Sequence, residues 1–293
     1  MKLSSSQIRD TKFAYMISAP MIIYICTILV FPVAWGISLS FTNKAIGGNP
    51  KFIGLDNYIQ LLGNKDFLSS ILNTLVYTFF SIGGKILFGV IMALALNIDF
   101  RGKNIVRAFL IIPWTLPNIV SVLNWKWIFT GTGGVANYIL KTTGIIEQDL
   151  IWFGSASLSM LVVVIVNIWR GTPFFGLSIL ARLQTIPKDY YEAAEVDGAS
   201  ILQKFIHITL PSIADAILIT ALVSTIWTLN EFESVWLLTG GGPNRATELA
   251  SIYSYKTAMT GMRLGRGIAV SVLMMPFLIV LIHFVSKKML KDD

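Results

Sequence analysis

Residues 156–181 read ASLSMLVVVIVNIWRGTPFFGLSILA, an apolar run broken by a single charge, Arg170. A membrane span needs about 20 mainly apolar residues, and this run exceeds that. Five further segments do the same, at about 13–41, 69–97, 108–130, 212–238 and 267–286. Composition agrees: 54% of the 293 residues fall in the AVILMFWYC group, 13% are charged, and mean hydropathy is +0.68. Soluble globular domains carry about 25% charged residues, so water is not the solvent for most of this surface. The sequence predicts an all-α integral membrane protein of six transmembrane helices, one membrane domain over residues 1–293. Two connecting stretches are too polar or too broken to cross but hold short amphipathic patterns. They are Ile53–Leu62 and the Ala136–Leu140 part of the Gly-containing segment Gly131–Ser155.

Charge placement orients these spans. With the N-terminus inside, four segments fall on the inner side and each holds three basic residues. These are Lys2, Arg9 and Lys12; Arg101, Lys103 and Arg107; Arg182, Lys188 and Lys204; and Lys287, Lys288 and Lys291. That is twelve in about 60 residues, against eight in about 80 residues of opposite loops, the asymmetry of cytoplasmic segments. Both termini are therefore expected in the cytoplasm, although Arg245, Lys256, Arg263 and Arg266 crowd one outer loop. The net charge of +7 is thus a set of topology determinants and not a nucleic-acid footprint. The basic N-terminus leads into a long apolar run with no small-residue cleavage site, which reads as a retained first span.

Catalytic patterns are absent. There is no Gly-x-x-x-x-Gly-Lys-Ser/Thr phosphate loop, no Gly-x-Ser-x-Gly and no His-Glu-x-x-His. His207 and His283 stand 76 residues apart, and the lone Cys26 sits inside an apolar run, so neither a metal nor a disulfide is expected. The chain is not expected to be an enzyme. Energy for any transport has to come from another subunit or from an ion gradient.

The segment between the fourth and fifth spans, residues 182–211, carries IPKDYYEAAEVDGA at 186–199 and ITLP at 208–211. It reads as two short helices around a turn. Pro187 opens the first, Asp189, Glu192 and Glu195 follow near its positive end, Gly198 permits the turn, and Pro211 marks entry into the next span. Taken alone this is an amphipathic linker. Its order of residues is more specific: Glu192-Ala193-Ala194, Asp197-Gly198-Ala199, Phe205 and the Ile-Thr-Leu-Pro close resemble the cytoplasmic signature of ABC importer permeases. Further motifs resemble the carbohydrate-uptake branch, of the maltose and glycerol-phosphate type. They are FIGLDNY at 52–58, Asn73-Thr74, LIIPW at 110–114 with Pro117 and Trp125-Lys126-Trp127, and LLTGGGP at 237–243 with Thr247. The C-terminal KKMLKDD differs from the Gly-rich tail of the partner type, so the chain resembles the first of the two permeases.

That resemblance implies the type I ABC importer permease fold. It makes Tyr191, Glu192, Ala193, Ala194, Asp197, Gly198 and Ala199 a coupling helix seated in a groove of a separate ATPase, with Glu192 facing a basic residue. It implies a second homologous permease, two cytoplasmic ATPase subunits, an extracytoplasmic solute-binding protein, a sugar substrate and surrounding lipid. No cofactor is expected in this chain, ATP and Mg being bound by the partner ATPase. The location implied is the plasma (inner) membrane of a prokaryote.

Polar groups within spans are costly unless they face protein or a watery cavity. Three sets recur at i, i+4, i+7: Trp114, Asn118 and Ser121; Asn167, Gly171 and Phe174; Ser224, Thr228 and Glu231. Aromatic faces with hydroxyl and amide donors suit a sugar ring, and related permeases line their cavity from these spans. Small polar residues also serve helix packing, and spacing does not separate the two readings. Arg170 either faces the cavity or pairs with the partner permease, and Glu231 binds a sugar hydroxyl or neutralises a cation. Lys85, mid-span after Gly83-Gly84, is expected to point inward. The competing mechanism is an ion-coupled secondary transporter with Glu231, Arg170 and Lys85 as coupling groups. Which sugar, polyol or acidic sugar is carried is not legible.

Overall fold

A computed structural model of the chain describes residues 5–289. Lys2 and Lys291, used above for orientation, lie outside them, as does the tail from residue 290. The described residues are helical, with one isolated antiparallel bridge between Thr42 and Phe52. Five helices are long and apolar enough to cross a membrane: Phe13–Ser40, Lys65–Asn97, Ala156–Leu183, Ile201–Leu229 and Leu264–Phe284. A sixth crossing exists only if the pair Lys103–Thr115 and Asn118–Ile128 is taken together.

Side-chain caps explain two of the starts. Asn64 accepts the Phe67 N–H at 3.0 Å, so the second span begins at Lys65, four residues before the apolar run marks it. Ser155 does the same for Leu158, one residue ahead of Ala156. The amphipathic stretches form the helices Asp56–Leu62 and Val135–Thr142. In the loop around the latter, the buried Asn137 side chain donates to Gly131 O and Leu150 O and accepts from Trp152 Nε1.

Two spans depart from the sequence reading. The stretch 108–130 is not one helix: its halves meet at 95°. Leu116 is extended (φ −68°, ψ 140°) because it precedes Pro117, whose ring excludes the helical conformation there. The fifth span is neither 212–238 nor opened by Pro211. It starts at Ile201, ends at Leu229, and gives way at Asn230–Phe232 to a separate helix, Glu233–Thr239. Pro211 is carried inside it by a wide turn at Phe205–Thr209, where the Leu210 N–H bonds Phe205 O, five residues back. The widened turn relieves the clash that proline makes with the preceding turn of a regular helix. The first span repeats the device: Cys26–Val30 is wide, Phe31 N–H bonds Cys26 O, and Pro32 follows.

Contacts divide the chain into two units, one of Met1–Gly63 with Ser254–Leu273 and one of Asn64–Tyr253 with Met274–Asp293. In the first, Asn57 is buried and donates 2.8 Å bonds to both Ser40 O and Thr42 O, which ties the FIGLDNY motif to the end of the first span. The apolar side chains of that span are exposed, among them Phe13, Ile23, Leu29 and Trp35. Lipid or another subunit has to cover them.

In the second unit the second, fourth and fifth spans pack together around two apolar clusters. One gathers Tyr77, Phe129, Trp152, Val162, Val166 and Leu249; the other gathers Met92, Leu96, Phe175, Ile179, Leu183 and Ile213. Close approach rests on missing side chains. A Cβ on Gly89 would stand 2.4 Å from Phe175 Cβ and 3.3 Å from Gly176 N, and nothing there can yield without moving backbone. At the Lys65 end, Arg245 pairs with both Asp66 and Glu248, and Asn73 donates to Arg245 O at 2.9 Å. The hydrogen bond to the Asp66 carboxylate raises the already high pKa of Arg245.

Candidate functional site

Between the two apolar clusters the second unit keeps a cavity of about 290 Å³ lined by both aromatic and polar side chains. Its floor on the second span is Lys85, only 4% exposed. The ammonium donates to Thr228 Oγ1 at 3.1 Å and Ser224 Oγ at 3.3 Å, which joins the second span to the fifth. Gly171 on the fourth span makes room for it, since a Cβ there would lie 2.5 Å from Lys85 Cε. Asn167, Arg170 and Glu231 complete the polar lining.

Three aromatic rings share the lining. Trp114 stacks on Phe174 with centroids 5.2 Å apart and planes 13° apart. Trp227 closes the group, 5.1 Å from Phe174 and 5.8 Å from Trp114. Three rings from three helices thus line one cavity with hydroxyl, amide and charged groups, the combination of apolar surface and polar partners that polar ring ligands need.

Of the nine residues singled out from spacing and Arg170, singled out for its charge, eight line this cavity: Trp114, Asn167, Arg170, Gly171, Phe174, Ser224, Thr228 and Glu231. The first and third stripes are nevertheless not continuous helical faces. The 95° bend falls between Trp114 and Asn118, and Glu231 lies past the end of its helix. Glu231 arrives at the cavity because its Oε1 accepts the Ser234 N–H at 3.0 Å at the next helix start. Asn118 and Ser121 are engaged elsewhere. Asn118 donates to Glu233 Oε2 at 2.8 Å and accepts from Ser234 Oγ, while Ser121 is buried against its own helix, over Pro117 O. Trp227 was missed, although it stands three residues after Ser224 on the same face. Lys85 points inward as expected, but its contacts are hydroxyls.

Between the fourth and fifth spans lie one short helix and a turn; the second short helix expected from the sequence is instead the start of the fifth span, Ile201–Leu229. Lys188–Val196 ends at Gly198, whose φ of +76° is the left-handed conformation that side chains resist. Ser200 and Gln203 then form a reciprocal cap that starts the fifth span. Two contacts hold the short helix to that span: Tyr191 OH with Thr209 Oγ1 at 3.0 Å, and Lys204 Nζ with Glu195 Oε1 at 2.7 Å. Glu192, Ala193, Asp197 and Gly198 are exposed, and Ala194 and Ala199 are half-buried. Tyr190, Val196, Ile201 and Leu202 also present large apolar surfaces, Val196 at 88% exposure.

Residues 85–288 match the family of the binding-protein-dependent transport system inner membrane component. The chain belongs to this family. The permease is 34% identical to the trehalose/maltose transport system permease protein MalF of Thermococcus litoralis, over 92% of this chain and 91% of that one. It is equally 34% identical to the sulfoquinovosyl glycerol transport system permease protein SmoG of Agrobacterium fabrum, over 90% and 86%. Its fold is shared with a bacterial ABC transporter that imports alginate, at a TM-score of 0.79 and 23% identity, covering 96% of each chain. Membership favours the binding-protein-dependent importer over the ion-coupled mechanism weighed from the sequence. The permease is a multi-pass membrane protein and a transport subunit, as its apolar helices and its family both state.

Proposed function

We propose that this permease is half of the translocation pathway of an ATP-driven sugar importer in the inner membrane of a prokaryote, with both termini in the cytoplasm. The observation that carries the reading is the cavity itself: Trp114, Phe174 and Trp227 set against Asn167, Ser224, Thr228 and three charges, inside membrane helices. The names of relatives at 31–34% identity, trehalose, trehalose/maltose and sulfoquinovosyl glycerol permeases, support a sugar as the cargo.

A second, homologous permease completes the path, and a solute-binding protein delivers the sugar from outside. Two cytoplasmic ATPase subunits bind ATP and Mg. The segment Tyr191–Ala199 docks on one of them. Its small Ala193 and Ala194 allow close seating, and the exposed Tyr190 and Val196 widen the apolar contact. Because Lys204–Glu195 and Tyr191–Thr209 fasten this helix to the fifth span, a push from the ATPase reaches Ser224 and Thr228 along one continuous helix. Aromatic faces and hydroxyls grip the sugar in one state and release it in the other, as alternating access requires. No bond chemistry falls to this chain.

Ala193→Trp tests the docking. Ala193 is exposed, so the substitution is expected to leave the permease folded while the ATPase no longer co-purifies and uptake stops. Undiminished co-purification and uptake would place the ATPase elsewhere.

A further inference from the structure

The charges of the cavity do not balance, and the imbalance points to the class of sugar. Lys85 and Arg170 line it against one carboxylate, Glu231. Neither cation forms an ion pair with a described residue. The Lys85 ammonium is buried and held by two neutral hydroxyls, which occupy two of its three N–H groups. Glu231 spends Oε1 on the Ser234 amide. Beside them Asn167, 9% exposed, keeps a buried Oδ1 with no hydrogen-bond partner, an acceptor for a sugar hydroxyl and not for the acidic group. A cation held among membrane helices is costly, and neutral hydroxyls recover only part of its hydration. Such a group discriminates strongly in favour of a ligand that brings the opposite charge. Aromatic walls alone would accept any sugar ring.

We propose that the cavity selects sugars bearing an acidic substituent (carboxylate, sulfonate or phosphate ester) and that Lys85 and Arg170 receive that group while Trp114, Phe174 and Trp227 hold the ring. Lys85 and Arg170 are then specificity determinants. Lys85 is fixed in place by Ser224 and Thr228, so its direction is set before the sugar arrives. Arg170, one residue before Gly171, supplies the planar fork that fits an oxyanion with two hydrogen bonds. The inference rests on the reading of this cavity as the sugar path.

The test uses the complete importer in proteoliposomes, with binding protein, partner permease and ATPase. Uptake of a neutral oligosaccharide is compared with that of a uronate, a sulfonated sugar and a sugar phosphate of similar size. The expected result is uptake of at least one acidic sugar with a preference of about tenfold or more over its neutral counterpart. Arg170→Gln and Lys85→Gln should each remove that preference, and Lys85→Arg should restore part of it. If Lys85→Gln fails to assemble, Arg170→Gln decides, since that side chain holds no described ion pair. Efficient uptake of neutral sugars, with all variants changing neutral and acidic substrates alike, overturns the acidic preference and leaves the sugar path standing. Uptake of no sugar at all overturns both.

Discussion

Glycine decides how closely the second and fourth spans approach, and its substitutions should rank by what each new methyl meets. At Gly89 the obstacles are Phe175 Cβ and the Gly176 amide, which belong to the backbone layer. At Gly84 the nearest atom, 2.2 Å away, is the flexible end of Ile168. Overpacking costs about 1–3 kcal/mol where neighbours cannot yield, so Gly89→Ala should lower the melting temperature of purified permease more than Gly84→Ala. Equal shifts would mean that the helices separate as easily at either place. Gly171→Ala carries a different expectation. Its methyl meets the Lys85 stem, so the ammonium is pushed off Ser224 and Thr228, and uptake should fall further than stability does. A loss of melting temperature with transport unchanged would show that Lys85 need not sit there.

At the scale of elements, the turn at Gly198 and the cap at Ser200 set the angle between the short helix and the fifth span. Nothing crowds Gly198, so its cost on substitution is conformational: Gly198→Asn, which tolerates positive φ, should transport better than Gly198→Val. Ser200→Ala removes one half of the reciprocal cap and should cost about 1 kcal/mol of local stability. Faster amide exchange at Ile201–Lys204 would report it, and unchanged exchange would show the cap to be dispensable. These elements also show where the sequence was readable. Long apolar runs set off the spans because lipid demands them, and Pro187 and Gly198 marked the short helix and its turn, whereas Pro211 did not mark the end of the loop. Pro117 and Pro211 were not separable by type, since one ends a helix at a 95° bend and the other rides inside a helix on a wide turn. That difference lies in whether the preceding turn widens, as it does at Phe205–Thr209. Asn167, Gly171 and Phe174 on the fourth span and Ser224 and Thr228 on the fifth were legible from spacing, and Arg170 from its charge, because polar side chains in lipid have few other places to go. Glu231 came to the cavity by a helix break, which a 3.6-residue period does not explain, while Trp227, three residues after Ser224, fits that period but hid among ordinary apolar residues.

For the whole molecule, the exposed first span and the exposed apolar surface around Tyr190, Val196 and Ile201 describe a chain made to be covered by lipid and by other subunits. The continuous helix Ile201–Leu229 links the exposed segment Lys188–Val196 to the cavity of rings and charges. On the function proposed above, this chain moves sugar only when driven by a partner ATPase. The direct measurement is sugar uptake into proteoliposomes, with ATP supplied on the ATPase side and each component omitted in turn. Uptake is predicted only when permease pair, ATPase, binding protein and ATP are all present, and should be lost in Ala193→Trp. Undiminished uptake by this chain alone in ATP-free vesicles would contradict the account.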